Sequence, residues 1–429
     1  MYKPRVLVVS NNCFSKGGSN GRTLANFFKG WPKKNLAQFY ISNEIPDSEV
    51  CDKYFRVTDK EVLKSFFYGG EKGTVVELKV NGNFSNKFNK NIKVKKTPLK
   101  CLLREFVWRT ERWRGRKFDE WVYNFNPELI LIQSGDSAFM INIATKLSKK
   151  FQVPLIIYNS EGYYFKEKNY FRDSSWQGVF YPIFIRQYKK SFEKMIEKSS
   201  YSIYSCDMLK DSYDRKFNNK SETIMTATDF NKSINDNKCV NNEFTVSYLG
   251  NLNVGRHESL IEIAECLQEI DEKIYLDIYG KVDDKKIISD LVKCKGIRYK
   301  GMISYDEVIS TMKKSNLLIH AENFGEFYKW DLKYAFSTKI ADSLASGTCF
   351  FVYSPIEMAS TEYLWRNKYE CLAIEKNELK FKLNKVINDK NFREKCIKQA
   401  SKLASLNHNN KLNREKFQDI LIKTFEGEK

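Results

Sequence analysis

Short runs rich in β-branched and aromatic residues recur along this chain, each followed by a longer run with helical spacing, and that alternation admits few folds. A strand, a crossover helix and a second strand running the same way form the unit of a parallel sheet covered by helices. In the first half, 5–10, 36–42, 54–58, 129–133, 155–158 and 201–205 read as strands, with helices near 23–30, 136–150 and 183–198. A polar, Asn-rich stretch at 231–242 reads as a linker. The pattern then restarts, with strands at 244–249, 274–279, 297–300, 317–321 and 350–353 and helices at 258–267, 285–293 and 305–314. The expected class is α/β, with doubly wound, Rossmann-like domains over 1–230 and 244–390 and a charged helical tail over 391–429.

Composition narrows the function classes. No apolar run is long enough to span a bilayer. A strand-like Val6-Leu7-Val8-Val9 begins almost at once, so no secretory leader is expected. Ten cysteines are scattered without a CxxC pair, which fits reduced thiols in a cytoplasmic protein. With three histidines, His257, His320 and His408, a histidine-rich metal centre is not expected, and neither a metal nor a cofactor is assigned.

The stretch Phe336-Ser337-Thr338-Lys339-Ile340-Ala341-Asp342-Ser343-Leu344-Ala345-Ser346-Gly347 carries the most chemistry. Two hydroxyls and a lysine stand at what reads as a helix start, and free N–H groups there favour phosphate. Asp342, one turn on, suits a sugar hydroxyl. The combination fits a nucleotide diphosphate with a ribose; an N-cap beside an ordinary surface Lys and Asp remains the plain alternative. Ligands of doubly wound sheets bind beyond the carboxyl ends of the strands. Those ends read Gly250-Asn251-Leu252, then Gly255-Arg256; Gly280-Lys281; Gly301-Met302-Ile303; and His320-Ala321-Glu322-Asn323-Phe324-Gly325.

On these residues the second half resembles the donor domain of a retaining, family-4 type glycosyltransferase of the GT-B fold, in a branch found in bacterial surface-polysaccharide clusters, such as those for capsule. The resemblance implies two domains facing across a cleft. It implies that Gly250, Asn251 and Arg256 hold the diphosphate with Ser337, Thr338 and Lys339, that Gly280 and Lys281 line the donor, that Ile303 faces the nucleobase, and that Asp342 holds the ribose. The family's first glutamate stands eight positions before the second acid. Here that position is Tyr334, and Glu322 lies twenty ahead of Asp342, so an insertion through 326–335 leaves the role of Glu322 open. The first half resembles the branch at Gln133-Ser134-Gly135-Asp136 and Asn159-Ser160-Glu161-Gly162, and would hold the acceptor. Gly17-Gly18 would form a loop near the reacting centre, or a plain flexible loop. Asp136 and Glu161, each just past a strand, suit sugar hydroxyls; Asp136 also reads as a helix cap and Glu161 as a solvated loop residue. The implied mechanism needs no strong base, because the leaving diphosphate takes the acceptor proton while Arg256 and Lys339 stabilise its charge. No DxD triplet occurs, which argues against the metal-dependent single-domain class.

Net charge is +19, and it is uneven: Lys87–Lys117 holds twelve cations against Glu105 and Glu111. Leu99, Leu102, Leu103, Phe106 and Val107 fall on one helical stripe there, with Trp108, Trp113 and Trp121 interleaved with arginines. Across 87–123 this is the composition of a helix on anionic lipid, and equally of a helix packed on its own domain with a basic outer face. The resemblance and the basic segment lead us to expect as partners a nucleotide sugar (a UDP-sugar), a lipid-linked glycan acceptor and an anionic membrane surface on the inner face of the cell membrane. The alternative is a catalytically silent GT-B subunit that stabilises a partner glycosyltransferase. Nucleic-acid binding lacks a recognised motif.

Overall fold

In the computed structural model of the chain, residues 2–16, 19–47, 49–76, 96–172, 176–228, 243–282 and 284–427 are described. Gly17, Gly18, the linker at 231–242 and the basic residues from Lys87 to Lys95 lie outside them. The chain divides into two compact units: Met1–Ser205 with Leu209–Ile224 and Arg414–Lys429, and Met225–Asn413 with Cys206–Met208.

Unit 1 carries a sheet of eight strands among the described residues: β1 (Val6–Ser10), β2 (Leu36–Tyr40), β3 (Lys53–Arg56), β4 (Thr74–Val76), β5 (Leu129–Ser134), β6 (Leu155–Asn159), β7 (Tyr201–Tyr204) and β8 (Ser221–Thr223). Their order is β4-β3-β2-β1-β5-β6-β7-β8, parallel except between β3 and β4. Strands β1, β2, β5 and β6 are buried along their whole length, because helices cover both faces of the sheet. The order reverses between β1 and β5, which makes their carboxyl ends a switch point.

Unit 2 repeats the plan with β9 (Val246–Leu249), β10 (Leu276–Tyr279), β11 (Ile297–Gly301), β12 (Leu317–Ala321), β13 (Cys349–Tyr353) and β14 (Leu372–Ala373), in the order β11-β10-β9-β12-β13-β14. All its pairings are parallel, and the switch point lies between β9 and β12. Helix starts follow local signals. Thr58 with Glu61, and Ser304 with Glu307, form reciprocal capping boxes, and Thr97 caps the helix Pro98–Arg109. The insertion after Glu322 contains a further helix, Glu326–Leu332. Among the described residues no helix is long and apolar enough to cross a membrane.

The charged tail forms two helices, Lys390–Asn407 and Asn410–Gly427. Residues from Arg414 onward belong to unit 1, where Phe417 stacks on Phe27 at 4.7 Å and meets Phe28 edge-on at 5.2 Å. Gln418 Nε2 donates to the Phe27 carbonyl at 2.9 Å. Phe417 is fully buried, so Phe417→Ala should destabilise unit 1 by about 3–5 kcal/mol. Urea unfolding followed by hydrogen exchange of β1 checks this; an unchanged midpoint would show that the tail is dispensable to unit 1.

Candidate functional site

The site grows from two loops at the switch point of the second sheet. The Gly250 N–H donates to the Tyr279 carbonyl at 2.8 Å, and a Cβ on Gly280 would lie 1.9 Å from the Gly250 oxygen. The two strand ends can therefore meet only because residue 280 has no side chain. Gly255, at φ +76°, then turns the chain into the helix Arg256–Ile270. That turn brings the Arg256 guanidinium to the end of β12. There Nε donates to Glu322 Oε2 at 2.9 Å and Nη2 to Oε1 at 2.7 Å. Ser259 Oγ donates to the Glu322 carbonyl and Asn323 Nδ2 to the Gly255 carbonyl, each at 2.9 Å, so helix start and strand end are bonded at several points.

The pair is largely buried, with side-chain exposures of 16% for Arg256 and 6% for Glu322. Burial disfavours the Arg256 cation, but Glu322 outweighs it and the pKa is pushed up. His320 Nε2 lies 3.6 Å from Glu322 Oε1 and makes no hydrogen bond. Burial pulls the pKa of His320 down to about 4 against the attraction of Glu322, so the ring stays neutral. Lys339 is open to solvent, yet the protein crowding it, and then the Arg256 charge, draw its pKa down to about 8.

One narrow pocket is lined by Gly250, Asn251, Arg256, Ser337 and Lys339, all singled out in the sequence, and by His320, which had appeared only as part of a strand end. The helix here runs Lys339–Ala345, and Thr338 at its N-cap makes no side-chain capping bond. Asp342 is buried and accepts from Thr228 Oγ1 at 2.7 Å. Asn251 is exposed, its Oδ1 accepting from the Asn253 N–H at 2.9 Å. Gly280 N donates to the Gly301 carbonyl at 2.9 Å; Lys281 follows it, exposed, and Ile303 is half-buried in the neighbouring loop. Among the described residues no group of three or more His, Cys, Asp or Glu side chains is arranged to hold a metal ion.

Unit 1 places Asp136 and Glu161 past the ends of β5 and β6, adjacent parallel strands with Ser134 opposite Asn159. Asp136 pairs with Lys96 at 2.9 Å. It does not cap the following helix, Ala138–Phe151. A residue not foreseen does so: the Glu105 carboxylate reaches in from the helix Pro98–Arg109 and accepts from the Ala138 and Phe139 N–H groups, each at 2.8 Å. Within the basic segment, two of the tryptophans turn inward. Trp108 and Trp113 are core residues, Trp108 stacking on Phe139 at 4.3 Å and Trp113 on Phe39 at 5.8 Å. Arg104 is tied to Asp59 at 2.8 Å and Arg114 to Asp119 at 2.6 Å. Of the apolar stripe, Leu103 and Phe106 are exposed. A groove of about 740 Å³ runs beside them at the switch point, lined by Ile41, Val62, Leu63, Leu103 and Val107 together with Lys96, Lys100, Arg104 and Asp136.

No family model matches the chain, and no curated protein matches its sequence. Solved structures match its backbone. Anabaena HepE, solved with UDP, aligns over 98% of this chain and 100% of its own, with a TM-score of 0.61 at 12% identity. A glycosyltransferase from Rickettsia africae aligns over 99% and 100%, with a TM-score of 0.62 at 13% identity. The lipopolysaccharide outer core galactosyltransferase WaaB aligns over 97% and 99%, with a TM-score of 0.59 at 12% identity. The fold is GT-B. In this GT-B chain the Arg256–Glu322 bond is the clearest energetic commitment of the pocket. Removing one partner strands the other charge, so Arg256→Leu or Glu322→Leu alone should cost about 3–5 kcal/mol. The double Leu variant should recover part of that loss in urea unfolding. Additive losses would show that the two residues are not coupled.

Proposed function

We propose that this chain is a retaining, family-4 type glycosyltransferase. It moves a hexosyl group from a nucleotide diphosphate sugar, a UDP-sugar, to a lipid-linked glycan in surface-polysaccharide synthesis, at the inner face of the cell membrane. The observation that carries the reading is the pairing of two cations, Arg256 and Lys339, in one pocket at the carboxyl end of a doubly wound sheet. Two cations so placed suit a diphosphate. HepE has been solved with UDP and with UDP-glucose, which favours uridine as the base.

In this reading Glu322 acts through Arg256. It occupies Nε and Nη2, and Nη1 remains available to a phosphate oxygen. The bond from the sugar C1 to the diphosphate oxygen breaks as the acceptor oxygen bonds C1 from the same face. The acceptor proton passes to the departing phosphate. Arg256 and Lys339 meet the charge that develops on it. Asp342 takes the ribose hydroxyls, and Asp136 and Glu161 serve the acceptor side.

The lipid-linked acceptor is supported by the apolar groove of unit 1 and by the exposed side chains beside it. Leu63, Phe67 and Tyr68 on the helix Asp59–Tyr68 stand open with Leu103 and Phe106 on the helix Pro98–Arg109. Phe66 and Phe106 meet at 5.8 Å, and the Arg112 guanidinium lies 5.3 Å from the Phe66 ring. Apolar side chains with cations around them suit an anionic leaflet.

Incubation with a panel of nucleotide sugars should reveal slow hydrolysis of one UDP-sugar; no hydrolysis with any donor would favour the silent-subunit reading. Lys339→Ala should weaken UDP binding by about ten- to a hundredfold, the worth of a charge-assisted contact. Wild-type affinity in that variant would remove the site assignment.

The pH dependence follows from protonation. Only the lysinium form attracts diphosphate, so UDP affinity of the wild type should be full below pH about 8 and fall as pH rises through it. Lys339→Arg should keep its affinity over that range. Calorimetric titrations between pH 7 and 9.5 decide it, and a flat wild-type profile would separate Lys339 from phosphate.

Anionic vesicles should sediment the protein in a salt-sensitive way, and Leu103→Asp with Phe106→Asp and Arg109→Glu should abolish this while sparing UDP binding. Arg104 is left intact in that variant because it holds Asp59. Equal sedimentation of variant and wild type would end the docking claim.

A further inference from the structure

A second groove, in unit 2, shares no residue with the donor pocket. It lies beside the edge strand β14, between the end of the helix Ala359–Arg366 and the helix Leu379–Asn388, with a volume of about 680 Å³. Two large aromatic side chains line it while remaining open to solvent, Trp365 at 58% and Phe381 at 70% exposure. Among the described residues neither ring packs against another aromatic ring. Aromatic area left bare in a concavity marks a binding surface more than a core.

The charges in the groove are unbalanced. Lys368 and Lys382 make no side-chain ion pair or hydrogen bond among the described residues, and the Lys385 ammonium lies 4.2 Å from the centre of the Phe392 ring. The groove's two carboxylates are already engaged by the chain itself. Glu370 pairs with Lys395 at 2.6 Å, and Glu378 accepts from the Ile374 N–H at 3.0 Å. What remains is flat aromatic surface and positive charge in one concave site.

We propose that this groove binds an anionic glycan, with sugar rings laid on Trp365 and Phe381 and carboxylate or phosphate substituents paired with Lys368, Lys382 and Lys385. A neutral glycan would leave the lysines without a role. A lipid surface is met by residues that project from a protein, whereas these line a hollow. The choice of a glycan over another polyanion rests on the glycosyltransferase reading above, since an enzyme that extends a polysaccharide meets glycan as its product; the lysines of the groove select an acidic one. A second contact of this kind would hold the growing chain near the enzyme between transfers, without touching the donor.

The full chain is titrated with oligogalacturonate, with a neutral malto-oligosaccharide of equal length, with poly-glutamate and with phosphatidylglycerol vesicles, and binding is read by calorimetry and tryptophan fluorescence. Oligogalacturonate should bind, more weakly as salt is raised, and at least about tenfold more tightly than the neutral sugar. Lys368→Glu with Lys382→Glu, and separately Trp365→Ala, should each lose about tenfold or more, while Trp365→Phe retains most of the affinity. UDP binding, measured on the same proteins, should be unchanged, so failure at this groove is distinguishable from failure at the donor pocket. The proposal is overturned if oligogalacturonate does not bind, or binds the Lys368→Glu/Lys382→Glu protein as well as the wild type. It is equally overturned if poly-glutamate or the vesicles bind through Trp365 as tightly as the oligosaccharide does.

Discussion

The bidentate bond between Arg256 and Glu322 is the constraint on which the geometry at the switch point of the second sheet depends. Two opposite charges have been taken from water into a setting where either alone would be costly, so each requires the other in place. Because Arg256 opens a helix and Glu322 directly follows a strand, satisfying the pair fixes the angle between them. The glycines on either side answer to the same requirement. A side chain at residue 255 would strike Asn323 at 2.6 Å and Tyr328 at 2.8 Å, and one at 280 would strike the backbone of 250. Closeness of backbone is what allows the ion pair, and the ion pair repays closeness of backbone.

The same bond gives the pocket its electrostatic character. With Glu322 committed to Arg256, the guanidinium is neutralised along one edge and keeps Nη1 on the other. Lys339 then stands beside a charge already compensated, which moderates their repulsion without removing it; desolvation by the protein crowding it first, and that remaining repulsion second, draw its pKa down. A dianionic ligand would relieve that remainder. Binding of a diphosphate there and full protonation of Lys339 would therefore be two sides of one equilibrium. The neutral His320 adds a polar group with no charge of its own.

The parallel, doubly wound architecture was legible because fully buried strands such as β5, β12 and β13 are near-continuous apolar runs between helical segments. Among the unforeseen elements, which include the helices Asp59–Tyr68, Asp207–Phe217 and Leu379–Asn388, the strands are those with least sequence to speak for them. Strands β4 and β8 have three residues and β14 two, at sheet edges where pairing rather than pattern decides. The helix Glu326–Leu332 lies where motif spacing suggested only an insertion. Around the site, Gly250, Arg256, Ser337 and Lys339 could be gathered by reading strand ends in order. The bond between Arg256 and Glu322 could not, since it joins residues sixty-six apart. The basic segment shows the converse. Its tryptophans and arginines carry the same letters whether they face lipid or core, and only packing against Phe39, Phe139 and Asp59 separates the two. Glu105 had one legible sign, an acid isolated among cations, and its purpose is to satisfy a helix start from another helix.

Asp342 connects the helix Lys339–Ala345 to the place where the chain enters unit 2. Its carboxylate accepts from Thr228, and the segment holding Thr228 is itself bonded to the end of the unit. His408 Nδ1 lies 2.7 Å from the Thr226 carbonyl, Thr228 N donates to the His408 carbonyl at 3.0 Å, and Asn413 Nδ2 donates to the Met225 carbonyl at 2.9 Å. Entry at Met225 and exit at Asn413 are thus laced together inside unit 2, with Asp342 bonded to the lacing. A ribose hydroxyl that reached Asp342 would have to share the carboxylate with Thr228 or displace it. The donation from Thr228 thus ties the helix Lys339–Ala345 to the segment where the backbone enters unit 2.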